Sequence, residues 1–210
     1  MTLAHAEHGA DAADGVLDIV TLSDGRTLTV RTVTEADVDG LDALFEGLSE
    51  DDRYYRFFGL SHPGRKFLEQ MAQAEDEGGY RLVAVVSGAE NKLVAEAGYA
   101  LLPDGNGEFA LTVAGGWRGW LGPYLLDAIV AVAAARGVPN LQADILVSNI
   151  RMLALVSSRG YVTLDREASQ LRVAIDAARP RPCPRPGGAP AMIRLPPAGV
   201  TGAFSPPRGR

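Results

Sequence analysis

Apolar residues recur along the chain at two periods, and the points where the period changes mark out the elements. Over 17–31, LDIVTLSDGRTLTVR, two β-prone runs flank Ser23-Asp24-Gly25. Asp-Gly between such runs predicts a hairpin, because glycine adopts positive φ freely. From Thr34 the spacing becomes helical: Val38, Leu41, Leu44, Phe45 and Leu48 line one face behind a capping hydroxyl and first-turn acids. Ser49 caps a second segment, EDDRYYRFFGL, and 62–77 predicts a third helix with Phe67, Leu68 and Met71 inward. Alternation returns in YRLVAVVSG (80–88), KLVAEAGYALL (92–102) and GEFALTVAG (107–115). With turn residues between them, these three predict an antiparallel meander. A long apolar helix over 121–136 stops at Gly137, with Pro139 just beyond. NLQADILVS (140–148) then reads as a strand, Asn149 opens the helix IRMLALVSSRGY with Met152, Leu153 and Val156 inward, and 163–175 closes as a hairpin. The fold class is α/β: a mixed, mostly antiparallel sheet flanked by helices, with one strand–helix–strand crossover after Val113.

Composition changes this picture at the ends. The chain of 210 residues is 47% hydrophobic and 22% charged, the balance of a soluble globular domain. The segment 177–210 holds six of the arginines, no acid and nine of the 13 prolines, leaving a body near −12 and a tail of +6. The expected organisation is a flexible N-terminus at 1–15, one folded domain at 16–176 and a disordered Pro/Gly/Arg-rich tail at 177–210. An acidic body argues against nucleic acid as the main partner. The start lacks the order of a secretory signal and no run of about 18 apolar residues suggests a membrane span, so the cytoplasm is the simplest address. The one cysteine, Cys183, allows no intrachain disulfide, and His5, His8 and His62 share no ligand spacing, so no metal is expected.

Candidate chemistry gathers in EFALTVAGGWRGWLGPYLL (108–126), which passes from a strand through four glycines into a helix. A helix N-terminus with free N–H groups receives anions, and glycines let a phosphate approach the backbone, although such turns also serve merely to change direction. Alternation puts Glu108, Ala110 and Thr112 on one face of the strand and Phe109, Leu111 and Val113 on the other. Glu108 is the only charge in its run and lies at its entrance, as a catalytic base or as an exposed strand-end carboxylate. Glu96, which alternates with Val94 and Gly98, could line the same cleft but reads first as a solvent-facing strand residue. In the block Tyr54, Tyr55, Phe57, Phe58, the aromatics read as partly core, with Arg53 and Arg56 on the solvated side.

The succession of strand, glycine loop, long helix and strand, then Asn149-Ile150-Arg151-Met152 and Gly160-Tyr161, resembles the GCN5-related N-acetyltransferase (GNAT) superfamily over about 17–176. LSEDDRYYRFFG (48–59) is similar to the signature of its bacterial protein-lysine acetyltransferases. The resemblance implies acetyl-CoA as co-substrate, without a metal, and a primary amine, a protein lysine by preference, as acceptor. It implies that the backbone of Leu111 and Val113 holds the pantetheine arm, that Arg118, Gly119 and Gly122 hold the pyrophosphate, that Asn149 touches pantetheine besides capping its helix, and that Glu108 is the general base. The loop departs from the family pattern: Trp120-Leu121-Gly122-Pro123 is one residue short, Trp120 brings bulk where backbone should meet phosphate, and Pro123 has no N–H. The position at which many relatives carry an acidic tyrosine holds Val156. The competing expectation is a non-catalytic module of the same fold that recognises proteins. Nothing in the chain fixes the oligomeric state.

Overall fold

The computed structural model describes residues 15–59 and 61–179, with the backbone of 183–184 and 190–191. A hairpin of β1 (Val16–Thr21) and β2 (Thr27–Thr32) leads into α1 (Val38–Glu46), α2 (Glu50–Phe57) and α3 (Arg65–Ala72). The meander β3 (Tyr80–Val86), β4 (Lys92–Leu101) and β5 (Gly107–Val113) follows. Then come α4 (Leu121–Ala135), β6 (Asn140–Leu146), α5 (Ile150–Ser157), β7 (Val162–Arg166) and β8 (Gln170–Asp176). The eight strands form one sheet in the order β1-β2-β3-β4-β5-β6-β8-β7, antiparallel throughout except where β5 meets β6. The third helix is shorter than its apolar spacing predicts. It opens after Pro63 and Gly64, and after Ala72 the chain tightens into a single 3-10 turn over Ala74–Glu77 that Gly78 ends at φ 77°.

The sheet is covered on both faces. On one, α4 packs Leu125, Ile129 and Val132 against Tyr99, Phe109, Leu141 and Ile145. On the other, α1 and α3 bring Leu41, Phe45, Leu68 and Met71 onto Val83 and Leu93. Each such fully buried side chain contributes about 1.5–3 kcal/mol relative to exposure. The double cover explains why β3 and β4 read as nearly continuous apolar runs: as central strands they have no solvent face. At Gly98 a Cβ would stand 2.5 Å from the Tyr80 carbonyl oxygen and 2.9 Å from Arg81 Cα, so only glycine lets β4 close onto β3 there.

The packed chain extends to Ala177, which is fully buried and donates its N–H to the Pro139 carbonyl at 3.0 Å. Of the expected flexible N-terminus and disordered tail, 1–14 and most of 180–210 lie outside the described residues. Where composition predicts no regular structure, β9 (Cys183–Pro184) and β10 (Pro190–Ala191) form a two-residue antiparallel ladder, with β9 beside α4. Proline at one position of each strand leaves a single pair able to donate N–H groups.

Candidate active site

The site begins where a sheet comes apart. β5 and β6 pair in parallel only at Gly107–Leu141 and Glu108–Gln142. Past Glu108 their ladder ends, and a cleft of about 1080 Å³ runs from the gap toward α2, α4 and α5. The other edge of β5 stays paired with β4, and the Ala114 N–H donates to the Val94 carbonyl at 2.9 Å. Hydrogen-bonded pairs alternate along an antiparallel ladder, so Thr112 and Ala110 face β4 with their backbone groups. The N–H and C=O of Phe109, Leu111 and Val113 therefore face the gap, where an extended, amide-bearing ligand can pair with them as a further strand would.

The gap leads to the N-terminus of α4. Arg118 is extended, Gly119 sits at φ 111°, and the helix begins at Leu121, so Gly122 and Pro123 are its second and third residues. Tyr124 donates the first intrahelical bond, to the Trp120 carbonyl at 3.0 Å. The N–H groups of Trp120, Leu121 and Gly122 thus have no intrahelical acceptor, and Pro123 has none to offer. The Trp120 ring does not obstruct this position, contrary to what its bulk predicts. It packs edge-on against Tyr124 at 6.0 Å, beside the α4 core and away from the cleft lining. Asn149 caps α5 by accepting the Met152 N–H at 3.2 Å, and its residue lines the cleft. Val156 is buried in the α4-side core and presents no hydroxyl. Arg159 grips Asp127 with two bonds of 2.9 Å and donates to the Pro123 carbonyl at 3.2 Å, fixing α5 against the first turns of α4.

Helix α2 crosses over this cleft. Asp52 receives Arg118 on one carboxylate oxygen and Arg151 on the other, at 3.0 Å for Arg151. The Tyr55 hydroxyl donates to the Ser148 carbonyl at 3.2 Å. Partial burial pushes the Asp52 carboxyl up, but the Ser49 hydroxyl, Arg118 and Arg151 outweigh it and hold it below the usual carboxylate range. Arg118, the one side chain expected to reach for phosphate, is thus already paired with an acid.

On the α2 side of the sheet, Glu108, Ala110 and Thr112 line the rest of the cleft with Tyr55, Phe57, Phe58 and Phe67. Glu108 is exposed at the mouth, as its place in the run predicts. Two expectations fail here. Glu96 is 0% exposed, not solvent-facing: it binds Arg81, accepts from Arg56 Nε at 3.1 Å and takes the Thr112 hydroxyl at 2.7 Å. Arg56 turns inward, not to the solvated side, lying 5.0 Å from the Phe57 ring centroid and 5.8 Å from that of Phe45. The aromatic block divides accordingly, Phe57 joining the α1-side core while Tyr54 and Phe58 remain exposed. Burial pushes Glu96 up, and the two arginines with Thr112 reverse that and hold it low. Burial pushes the Arg81 guanidinium down, Glu96 opposes it and Arg56 adds to the downward push.

All seven residues singled out from the sequence, Glu108, Leu111, Val113, Arg118, Gly119, Gly122 and Asn149, line this one cleft. Asp52, Arg56, Arg81 and Glu96 are the ones sequence reasoning did not assemble. A signal for the last two existed: a charge inside a run as continuously apolar as β3 or β4 must be buried, and a buried charge needs a partner. Among the described residues no cluster of His, Cys, Asp or Glu is arranged to hold a metal ion, and no helix is long and apolar enough to cross a membrane.

The same architecture occurs in solved acetyltransferases. The GNAT domain of S. lividans PAT matches with a TM-score of 0.68 and 26% identity, over 76% of this chain and 96% of that one. The ribosomal-protein-alanine N-acetyltransferase from Brucella melitensis matches at 0.56 and 22% identity, over 70% of this chain and 98% of that one. A GNAT-family acetyltransferase from Streptococcus pneumoniae matches at 0.57 and 16% identity, over 70% and 96%. No protein-family model matches the chain. The splayed strands, the crossover helix and these likenesses place the chain in the GCN5-related N-acetyltransferase superfamily. Acyl transfer is the class of chemistry that this likeness supports.

Proposed function

We propose that the protein moves an acetyl group from acetyl-CoA to a primary amine, a protein lysine by preference, by direct transfer in the cytoplasm. The observation that carries this reading is the open edge of β5. The outward backbone groups of Leu111 and Val113 suit the two amides of a pantetheine arm, and the gap that contains them ends at the free N–H groups of α4. Trp120, Leu121 and Gly122 would bind pyrophosphate through N–H, with Arg118 adding charge once it leaves Asp52.

Glu108 stands at the opposite end, on the α2 face. Its carboxylate takes a proton from the acceptor ammonium, directly or through water, since only a neutral amine attacks a thioester carbonyl. A C–N bond then forms and the C–S bond breaks, the nitrogen releases its second proton to solvent, and the departing thiolate takes a proton from solvent, because Val156 supplies none. Calorimetric titration with acetyl-CoA and thiol release in the presence of amines test the reading. Glu108→Gln should lower turnover by about 10²-fold or more while acetyl-CoA affinity stays similar. Equal turnover by the variant across pH 6 to 9 removes Glu108 from the role. The competing reading, a non-catalytic protein-binding module, is supported by the pairing of Arg118 with Asp52 and the missing Pro123 donor; absence of binding at millimolar acetyl-CoA would favour it.

A further inference from the structure

At the acceptor end of the cleft two guanidiniums share one carboxylate. Arg81 and Arg56 both bind Glu96, and Thr112 occupies Glu96 further. The Arg81 residue is 8% exposed, and its Nε is buried without a hydrogen-bond partner. Arg56 and Arg81 line the cleft together with Ala110 and Thr112. The group therefore carries one surplus positive charge, largely out of water, with an unmet donor. A protein tolerates that arrangement poorly unless an anion completes it.

We propose that Arg81 and Arg56 form a receptor for a carboxylate on the acceptor, so that the amine presented to Glu108 belongs to a molecule carrying an acid group near it. The amine half of this statement rests on the transferase reading, whereas the carboxylate half stands on the arginines alone. Register sets the spacing. Arg81 pairs with Gly98 and Gly98 with Ala110, two residues along β5 from Glu108 and on the same face. Two strand spacings and two residues put the Cα atoms of Arg81 and Glu108 about 12 Å apart. Both guanidiniums are held at Glu96, which pairs with Thr112, four residues along β5 from Glu108. Strand spacing puts the Cα atoms of Glu96 and Glu108 about 14 Å apart, so that once the Glu108 carboxylate reaches inward the span suits an amine and a carboxylate separated by about five methylenes or more. Two sources share this chemistry: a free ω-amino acid, and a protein lysine with an acidic residue beside it.

The test titrates the full chain calorimetrically with 6-aminohexanoate and with its amide. The acid should bind at least about tenfold more tightly, a preference that Arg81→Gln abolishes and Arg56→Gln reduces. If Arg81→Gln does not fold, Arg56→Gln with its fold checked by circular dichroism carries the comparison. Equal affinities, or tighter binding of the amide, overturn the proposal. Thiol release from acetyl-CoA is read separately, with the same pair and with Lys-Glu and Lys-Gln peptides. Preference for the acid in either pair supports the receptor and identifies the source. Binding of the acid without thiol release from it or from either peptide leaves the receptor standing and counts against the transferase reading. Thiol release at equal rates from acid and amide keeps the transferase and removes the receptor.

Discussion

If α2 holds Arg118 away from phosphate, Asp52→Asn should tighten acetyl-CoA binding. Asp52 is 16% exposed at its side chain and Arg118 33%, so the pair lies between a surface bridge and a buried one. Two unit charges at about 4 Å attract by about 4 kcal/mol at an effective dielectric of 20, but desolvation and side-chain ordering leave exposed pairs a net of only about 0.2–1 kcal/mol. We take about 1 kcal/mol as what Arg118 gives up on leaving Asp52, which corresponds to roughly a fivefold gain in affinity when asparagine removes the competing charge. The substituted asparagine keeps the size of the side chain and an oxygen for the Ser49 hydroxyl. The lost acid in the first turn of α2 costs about 0.3–1 kcal/mol of stability, a small drop in melting temperature. The assay is calorimetric titration with acetyl-CoA at low ionic strength, repeated in Arg118→Ala and in the double variant, so that the coupling is measured directly. The gain should vanish in the Arg118→Ala background. Affinity that is unchanged or weaker in Asp52→Asn, with the fold intact, refutes the idea that α2 restrains the phosphate arginine.

Glu96→Ala leaves two buried guanidiniums facing each other and should destabilise the protein by about 3–5 kcal/mol, or roughly 6–20 °C in melting temperature, read by urea and thermal unfolding. A loss below about 1 kcal/mol would mean that water or another anion already compensates the arginines. Glu96, Asp37 and Asp52 all have carboxyls held low in the folded state, Asp37 because Arg31 and Thr34 outweigh its burial. Their stabilisation is therefore complete above the unfolded carboxylate value near 4 and is lost as pH falls through the lower folded values. Melting temperature should decline below about pH 4, and less steeply in Glu96→Gln. Gly119→Ala meets no neighbouring atom but places a Cβ at φ 111°, so backbone strain of about 1–3 kcal/mol should appear as a distorted loop and weaker acetyl-CoA binding at little change in core packing.

By itself the sequence determined the elements and their order, because local period, caps and breakers are properties of neighbouring residues. The Ser23-Asp24-Gly25 turn, the Asn149 cap and the Gly137 stop all act within a few positions of themselves. It also placed Glu108, Leu111 and Val113 on opposite faces of one strand, since alternation is built into the backbone. Tertiary structure alone decided what the charges do. Arg56 and Glu96 are 40 positions apart, and Asp52 and Arg118 are 66 apart. No pattern over ten residues shows that α2 lies across the gap between β5 and β6. Trp120 illustrates the same division: its bulk is visible in the chain, but whether that bulk meets phosphate or Tyr124 depends on how α4 is seated against the sheet. Polar residues whose partners come from distant strands take their roles from packing, because a buried charge is tolerated only where the fold supplies its counterpart.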